Sequence, residues 1–142
     1  MFNHVSAVVL FVQDFEKCLA FYRDTLGLPV AQLEPKFAAF KMHDQDFALL
    51  HVSNAAEMVT AEIDGPPARG VNPLMLCARV QDVDAAYETL KAKGVEFTQG
   101  PTSQYWGLRT IYFKDPESNI WEFAQPLTPE QQARFSADNP PA

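Results

Sequence analysis

Hydrophobic and polar positions along this chain change period several times, and each change marks an element. His4 to Val12 (HVSAVVLFV) is a nearly unbroken apolar, β-branched run, as in a strand buried on both faces. Gln13-Asp14 ends it, and Asp14 suits the cap of a helix. From Phe15 to about Leu26 the period becomes helical, with Phe15, Cys18, Leu19, Tyr22 and Leu26 on one stripe and Gly27 at the C-terminal end. Strand patterns follow at Pro29 to Leu33, Phe37 to Met42 and Phe47 to Val52, the last two joined by the turn His43-Asp44-Gln45-Asp46. Ser53 to Pro73 breaks the pattern. Its Gly65-Pro66-Pro67 fits no regular element, and the segment reads as a linker with surface loops.

The opening pattern then returns. Leu74 to Val80 is an apolar strand, Gln81-Asp82 ends it, and a helix over Val83 to Lys93 carries Val83, Ala86, Tyr87 and Leu90 on its inner stripe. Gly94 closes it, and strands follow at Val95 to Thr98, Leu108 to Lys114 and Ile120 to Gln125. Val12-Gln13-Asp14 recurs 68 residues later as Val80-Gln81-Asp82. A match in strand, cap, helical stripe and terminating glycine marks a duplicated βαβββ unit. The fold class is therefore α+β. One domain spans residues 1–126, built of modules 4–53 and 73–126, and a tail runs over 127–142. In the tail, Thr128 and Pro129 can start a short helix, and Asn139 to Ala142 should be disordered.

The last two strands carry the most information. DPESN, Asp115 to Asn119, is the turn between them, with Asn119 tolerating an unusual backbone. Alternation puts Ile111, Phe113, Trp121 and Phe123 on one face, against helices. Trp106, Leu108, Thr110, Tyr112, Ile120, Glu122 and Ala124 share the other. Aromatic surface mixed with hydroxyls and one carboxylate suits a ligand pocket, or equally a half-exposed sheet with Glu122 in solvent.

Composition narrows the function classes. A chain of 142 residues, 47% of them hydrophobic, can bury a real core. A formal charge of −7 argues against nucleic acid and anionic membrane surfaces, and weakly favours cationic ligands. Cys18 and Cys77 form no CxxC pair and are read as reduced thiols of a cytoplasmic protein. No signal peptide and no membrane span is read.

Paired modules opened by VQDFEKCLAFYRDTLGL and closed by YFKDPESNIWEF resemble the vicinal oxygen chelate superfamily, the glyoxalase, bleomycin-resistance and extradiol-dioxygenase group. The resemblance covers Val5 to about Gln125. It departs at Ser118, where the family's DPxGN turn has glycine, which implies slight strain. It implies two modules closing round one concave site, with helices outside. It also implies four metal-ligand positions, which fall on Ala7, Leu49, Met75 and Glu122. Three apolar side chains and one carboxylate hold a divalent ion poorly, so no metal cofactor is expected. His51, and His4 through a bulge, are the candidate rescuers of such a site.

The resemblance turns Ala7, Val9, Phe11, Phe47, Leu49, His51, Met75, Cys77, Trp106, Thr110, Tyr112 and Glu122 into the concave site. Of these, Val9, Phe47, Leu49, His51, Met75, Trp106, Tyr112 and Glu122 are the expected ligand contacts. Glu122 is the best candidate for any catalytic role. Arg109 joins only if a bulge beside Gly107 turns it inward. The expectation is a metal-free small-molecule binding protein, as in the bleomycin-resistance branch. The alternative is a metal-dependent lyase, isomerase or dioxygenase of the glyoxalase type. A homodimer, paired through the first strand of each module, would cover exposed sheet edges.

Overall fold

The computed structural model describes residues 1, 3, 5–60 and 74–138, with side chains described as far as residue 134. The expectations for His4, for 61–73 and for the last four residues lie outside the described residues. The chain divides into two compact units, Met1–Val71 and Asn72–Ala142. One predicted module falls in each.

In the first unit, β1 (Ala7–Val12) leads into α1 (Phe15–Ala20), whose end widens into a π turn over Phe21–Thr25. The wider turn is visible in the bond from the Leu26 amide to the Phe21 carbonyl, 2.9 Å. Strands β2 (Val30–Glu34), β3 (Phe37–Phe40) and β4 (Asp46–His51) complete a sheet of order β1-β4-β3-β2. Asp14 caps α1 as expected, accepting from the Lys17 amide at 3.1 Å. The core lies between α1 and one sheet face. Tyr22, fully buried, sits edge-on to Phe47 at 5.2 Å and near Phe40 at 6.0 Å.

The first residues of the predicted linker are helical. Val52–Val59 is a helix, α2, ending at Thr60 in the left-handed region (φ 55°). Ala55, Ala56, Glu57 and Met58 favour a helix that β4 feeds directly.

The second unit repeats the plan: β5 (Met75–Arg79), α3 (Val83–Ala92), β6 (Glu96–Ser103), β7 (Leu108–Lys114) and β8 (Ile120–Pro126), in sheet order β5-β8-β7-β6. Asp82 caps α3 through the Ala85 amide at 3.0 Å. On the helix side, Tyr87 meets Phe97 at 4.6 Å, and Phe113, Trp121 and Phe123 form an aromatic cluster. Strand β6 runs past the expected Thr98 and through Pro101. It is an edge strand, where a missing N–H is tolerated. Helix α4 (Pro129–Asp138) follows, and Thr128 caps it through the Gln131 amide at 3.2 Å.

The duplication extends to irregularities. β2 slips against β3 between Val30 and Gln32, and β6 slips against β7 between Phe97 and Gln99. Each bulge falls at the same point of its module. Among the described residues no helix is long and apolar enough to cross a membrane.

Candidate functional site

Strand pairing decides which side chains share a sheet face, because paired residues point the same way. In the second unit Cys77 pairs with Glu122, Glu122 with Tyr112, and Tyr112 with Gln99. These four cross the sheet as one row. The row lies on the face opposite the Phe113, Trp121 and Phe97 cluster that meets α3. Tyr112 and Glu122 therefore share the expected face. Thr110 and Ala124 lie one pair further along, both almost fully buried, and Met75 and Ile120 lie one pair the other way.

The row is hydrogen-bonded. The Tyr112 hydroxyl donates to Glu122 Oε2 at 2.7 Å. Burial, then the bond to the Glu122 carboxylate, raises the phenol above its ordinary range, while a bond from Thr110 opposes this. Partial burial of an otherwise exposed Cys77 also pushes its thiol up, and the Glu122 charge adds to it. Arg79 acts the other way, and a hydrogen bond between the thiol and Glu122 raises it further. The Gln104 amide donates to Thr110 Oγ1 at 3.0 Å and to Gln99 Oε1 at 3.3 Å. Two bonded pairs thus line this face, Gln104 with Thr110 and Tyr112 with Glu122.

Trp106 is 42% exposed and edge-on to Tyr105 at 4.8 Å. Its loop is pinned from the C-terminal side. Gln131 Nε2 donates to the Trp106 carbonyl at 2.9 Å, and the Leu127 amide donates to the Gly107 carbonyl at 2.8 Å. Gly107 has φ +87°, and a Cβ there would meet Thr128 Cγ2 at 3.0 Å, so the close approach needs glycine.

The first unit corrects the expected site. Phe47, Leu49 and His51 pair with Val8, Leu10 and Val12, not with Ala7, Val9 and Phe11. Phe47 and Leu49 lie in the core beside α1 and Tyr22, and Leu49 has no exposed surface. The expected face was one residue out of register, the slip to which a continuously apolar strand is prone, since alternation cannot orient it. Ala48, paired with Val9, stands where Glu122 stands against Cys77. His51 is the N-cap of α2: its Nδ1 accepts from the Ser53 amide at 3.2 Å and lies 2.7 Å from Ser53 Oγ. That nitrogen is committed to the helix. Val9 and Phe11 are 40% and 41% exposed, as a binding face allows.

Arg109 does not turn toward the row. It grips Asp84 of α3 with two bonds, 2.7 and 2.9 Å, and Ser103 with a third at 3.0 Å. Sequence reasoning missed Arg79, Gln99 and Gln104. Alternation along Met75, Cys77 and Arg79 could have found the first. Gln99 follows a bulge, which hides its face.

The family positions, corrected to Ala7, Ala48, Met75 and Glu122, offer one oxygen donor set. No group of three or more metal-binding side chains occurs among the described residues. Neither the pair Ala7 and Ala48 of the first unit nor the pair Met75 and Glu122 of the second fits a divalent ion. A separate cavity of about 270 Å³, lined by Val80, Gln81, Gln125, Pro126 and Gln132, contains none of the predicted site residues.

The fold and the row define a class. The chain belongs to the Glyoxalase/Bleomycin resistance protein/Dioxygenase superfamily, whose family model matches residues 2–123. It is 34% identical to the uncharacterized protein YraH of Bacillus subtilis (strain 168) over 121 residues, 83% of this chain and 94% of that one. It is similar to a glyoxalase/bleomycin resistance protein/dioxygenase from Nocardioides, with TM-score 0.75, 28% identity, and coverage of 91% of this chain and 87% of that one. A glyoxalase-related enzyme from Fulvimarina pelagi shares the fold at TM-score 0.75 and 24% identity, over 87% and 88% of the two chains.

Proposed function

We propose that this protein is a small-molecule binding protein that takes an aromatic or extended organic ligand without a metal, as a cytoplasmic homodimer. The observation that carries the reading is the Tyr112–Glu122 bond, 2.7 Å, on the sheet face opposite α3. The carboxylate at a family metal position is already held by a phenol, beside a thiol whose burial and Glu122 neighbour keep it protonated. Met75, at the other family position of this unit, gives a ligand apolar contact, not coordination.

In this reading Trp106 is the stacking wall and the Glu122–Tyr112 pair the polar anchor. Covering roughly 100 Å² of the indole contributes about 2–3 kcal/mol at about 25 cal/mol per Å². Trp106→Ala should therefore weaken an aromatic ligand by roughly thirtyfold to over a hundredfold. The test is a thermal-shift screen of aromatic compounds and antibiotics on chelator-treated protein, followed by calorimetry on the hits. Chelator should leave both melting and binding unchanged. One tightly held divalent ion per chain, with binding lost on its removal, would overturn the reading in favour of a metal-dependent lyase, isomerase or dioxygenase.

A further inference from the structure

We propose that the ligand of this face carries a carboxylate, and that Arg79 is the residue that receives it. The proposal rests on the binding reading above and gives it a chemical class.

Arg79 pairs with Ala124, one alternation beyond the Cys77–Glu122 pair, so its side chain leaves the sheet on the same face as the row. It is partly buried. Its field reaches the Cys77 thiol, where it opposes that of Glu122. Among the described residues its guanidinium has no side-chain hydrogen bond and no ion pair. Arg23 and Arg109 differ: the first is bonded to Asp24 and the second to Asp84 and Ser103. A partly buried guanidinium presents a rigid fork of donors that a planar carboxylate matches.

The other polar groups of the face are already committed to one another. Gln104 donates to Thr110, Tyr112 donates to Glu122, and the Glu122 charge acts on the Cys77 thiol. The Glu122 carboxylate thus already accepts a hydrogen bond from within the face. It has little need of a cation, and its neighbours' donors are spent on it. Arg79 is the charged donor left over. Beside it lie Ala124 and Thr110, small, uncharged and almost fully buried, so neither offers a charge that would compete for a ligand. Lys114 shares the face but lies beyond Glu122, opposite Ile120. One cation on this side of the row suits one negative charge. The chain's net charge of −7 opposes anions at long range, but that field is screened beyond about 8–10 Å, whereas the contact with Arg79 is direct.

Three probes with one aromatic frame test this on the full chain by calorimetry: 2-naphthoate, 2-naphthalenemethanol and 2-naphthylmethylammonium. Naphthoate should bind at least tenfold tighter than the alcohol, and the ammonium weakest. Arg79→Gln should erase the difference while leaving affinity for the alcohol unchanged. Arg79→Lys should restore part of it, which separates charge recognition from misfolding. Equal binding of all three probes, or a naphthoate preference that survives Arg79→Gln, overturns the role of Arg79 and leaves the binding reading standing. Failure of all three to bind overturns both.

Discussion

The two units share a fold and differ on one face. The equivalent rows are Val9, Ala48, Ala39 and Gln32 in the first unit, and Cys77, Glu122, Tyr112 and Gln99 in the second. The edge glutamine is retained, and so is the bulge before it. At the other three positions the first unit is apolar, whereas the second carries a thiol, a carboxylate and a phenol. Phe11 likewise corresponds to Arg79. The helix-side faces have stayed alike: aromatic rings under α1 in one unit, aromatic rings under α3 in the other. Packing density penalises change in a core, so the two copies diverged where a sheet face is free of it. The polar chemistry of the row has collected in the second copy.

The largest expected effect tests which face of β4 is the core. Leu49→Ala should destabilise the protein by about 2–5 kcal/mol, as a fully buried leucine does. Val9→Ala, on the exposed face of the neighbouring strand, should cost well under half as much. Urea denaturation of both variants measures the contrast. Similar costs at the two positions would return Leu49 to the binding face and undo the equivalence of Ala48 with Glu122.

A second test sharpens the chemical difference between the rows. Glu122 raises the Cys77 thiol and Arg79 lowers it. Glu122→Gln removes a negative charge, so the thiol should ionise at lower pH. Arg79→Gln should move it the other way. The rate of alkylation by iodoacetamide against pH reads this directly, since Cys77 is exposed while Cys18 is fully buried. A thiol profile indifferent to both substitutions would mean that the row is not electrostatically coupled.

Much of the fold was legible because its signals are local. The caps Asp14 and Asp82, the two helical stripes and the strand β7 were read at their observed places. The Tyr112–Glu122 face was legible too, since clean alternation fixes both strands. What failed was non-local. The pairing of β4 with β1 sets the orientation of Phe47, Leu49 and His51, and the four consecutive apolar or small residues from Phe47 to Leu50 offer no period to reveal it. The commitment of Arg109 to Asp84 joins residues 25 positions apart, which no periodicity encodes. The capping role of His51 depends on α2, which the expected linker had hidden.

The smallest effect concerns the turn that joins the two strands of the row. Sequence placed the unusual backbone at Asn119, with slight strain at Ser118. The left-handed residue is Ser118, at φ 67°. Asp115 organises the turn around it. Its Oδ1 accepts from the Glu117 and Asn119 amides, both at 2.9 Å, and its Oδ2 accepts from Asn119 Nδ2 at 2.8 Å. Asn119 is thus held by its side chain in ordinary backbone, and the positive φ falls one residue earlier. A serine there carries a Cβ penalty of roughly 1–2 kcal/mol that glycine lacks. Glycine loses more backbone entropy on folding, which offsets part of the gain. Ser118→Gly should therefore stabilise the protein by about 0.5–1 kcal/mol in urea denaturation, with ligand affinity unchanged. The turn between β3 and β4 has no described residue at positive φ. A glycine at the corresponding site, Asp44→Gly, should accordingly destabilise by a similar amount. If both substitutions destabilise, Ser118 makes a contact that outweighs its strain, and the two turns are more alike than their backbones suggest.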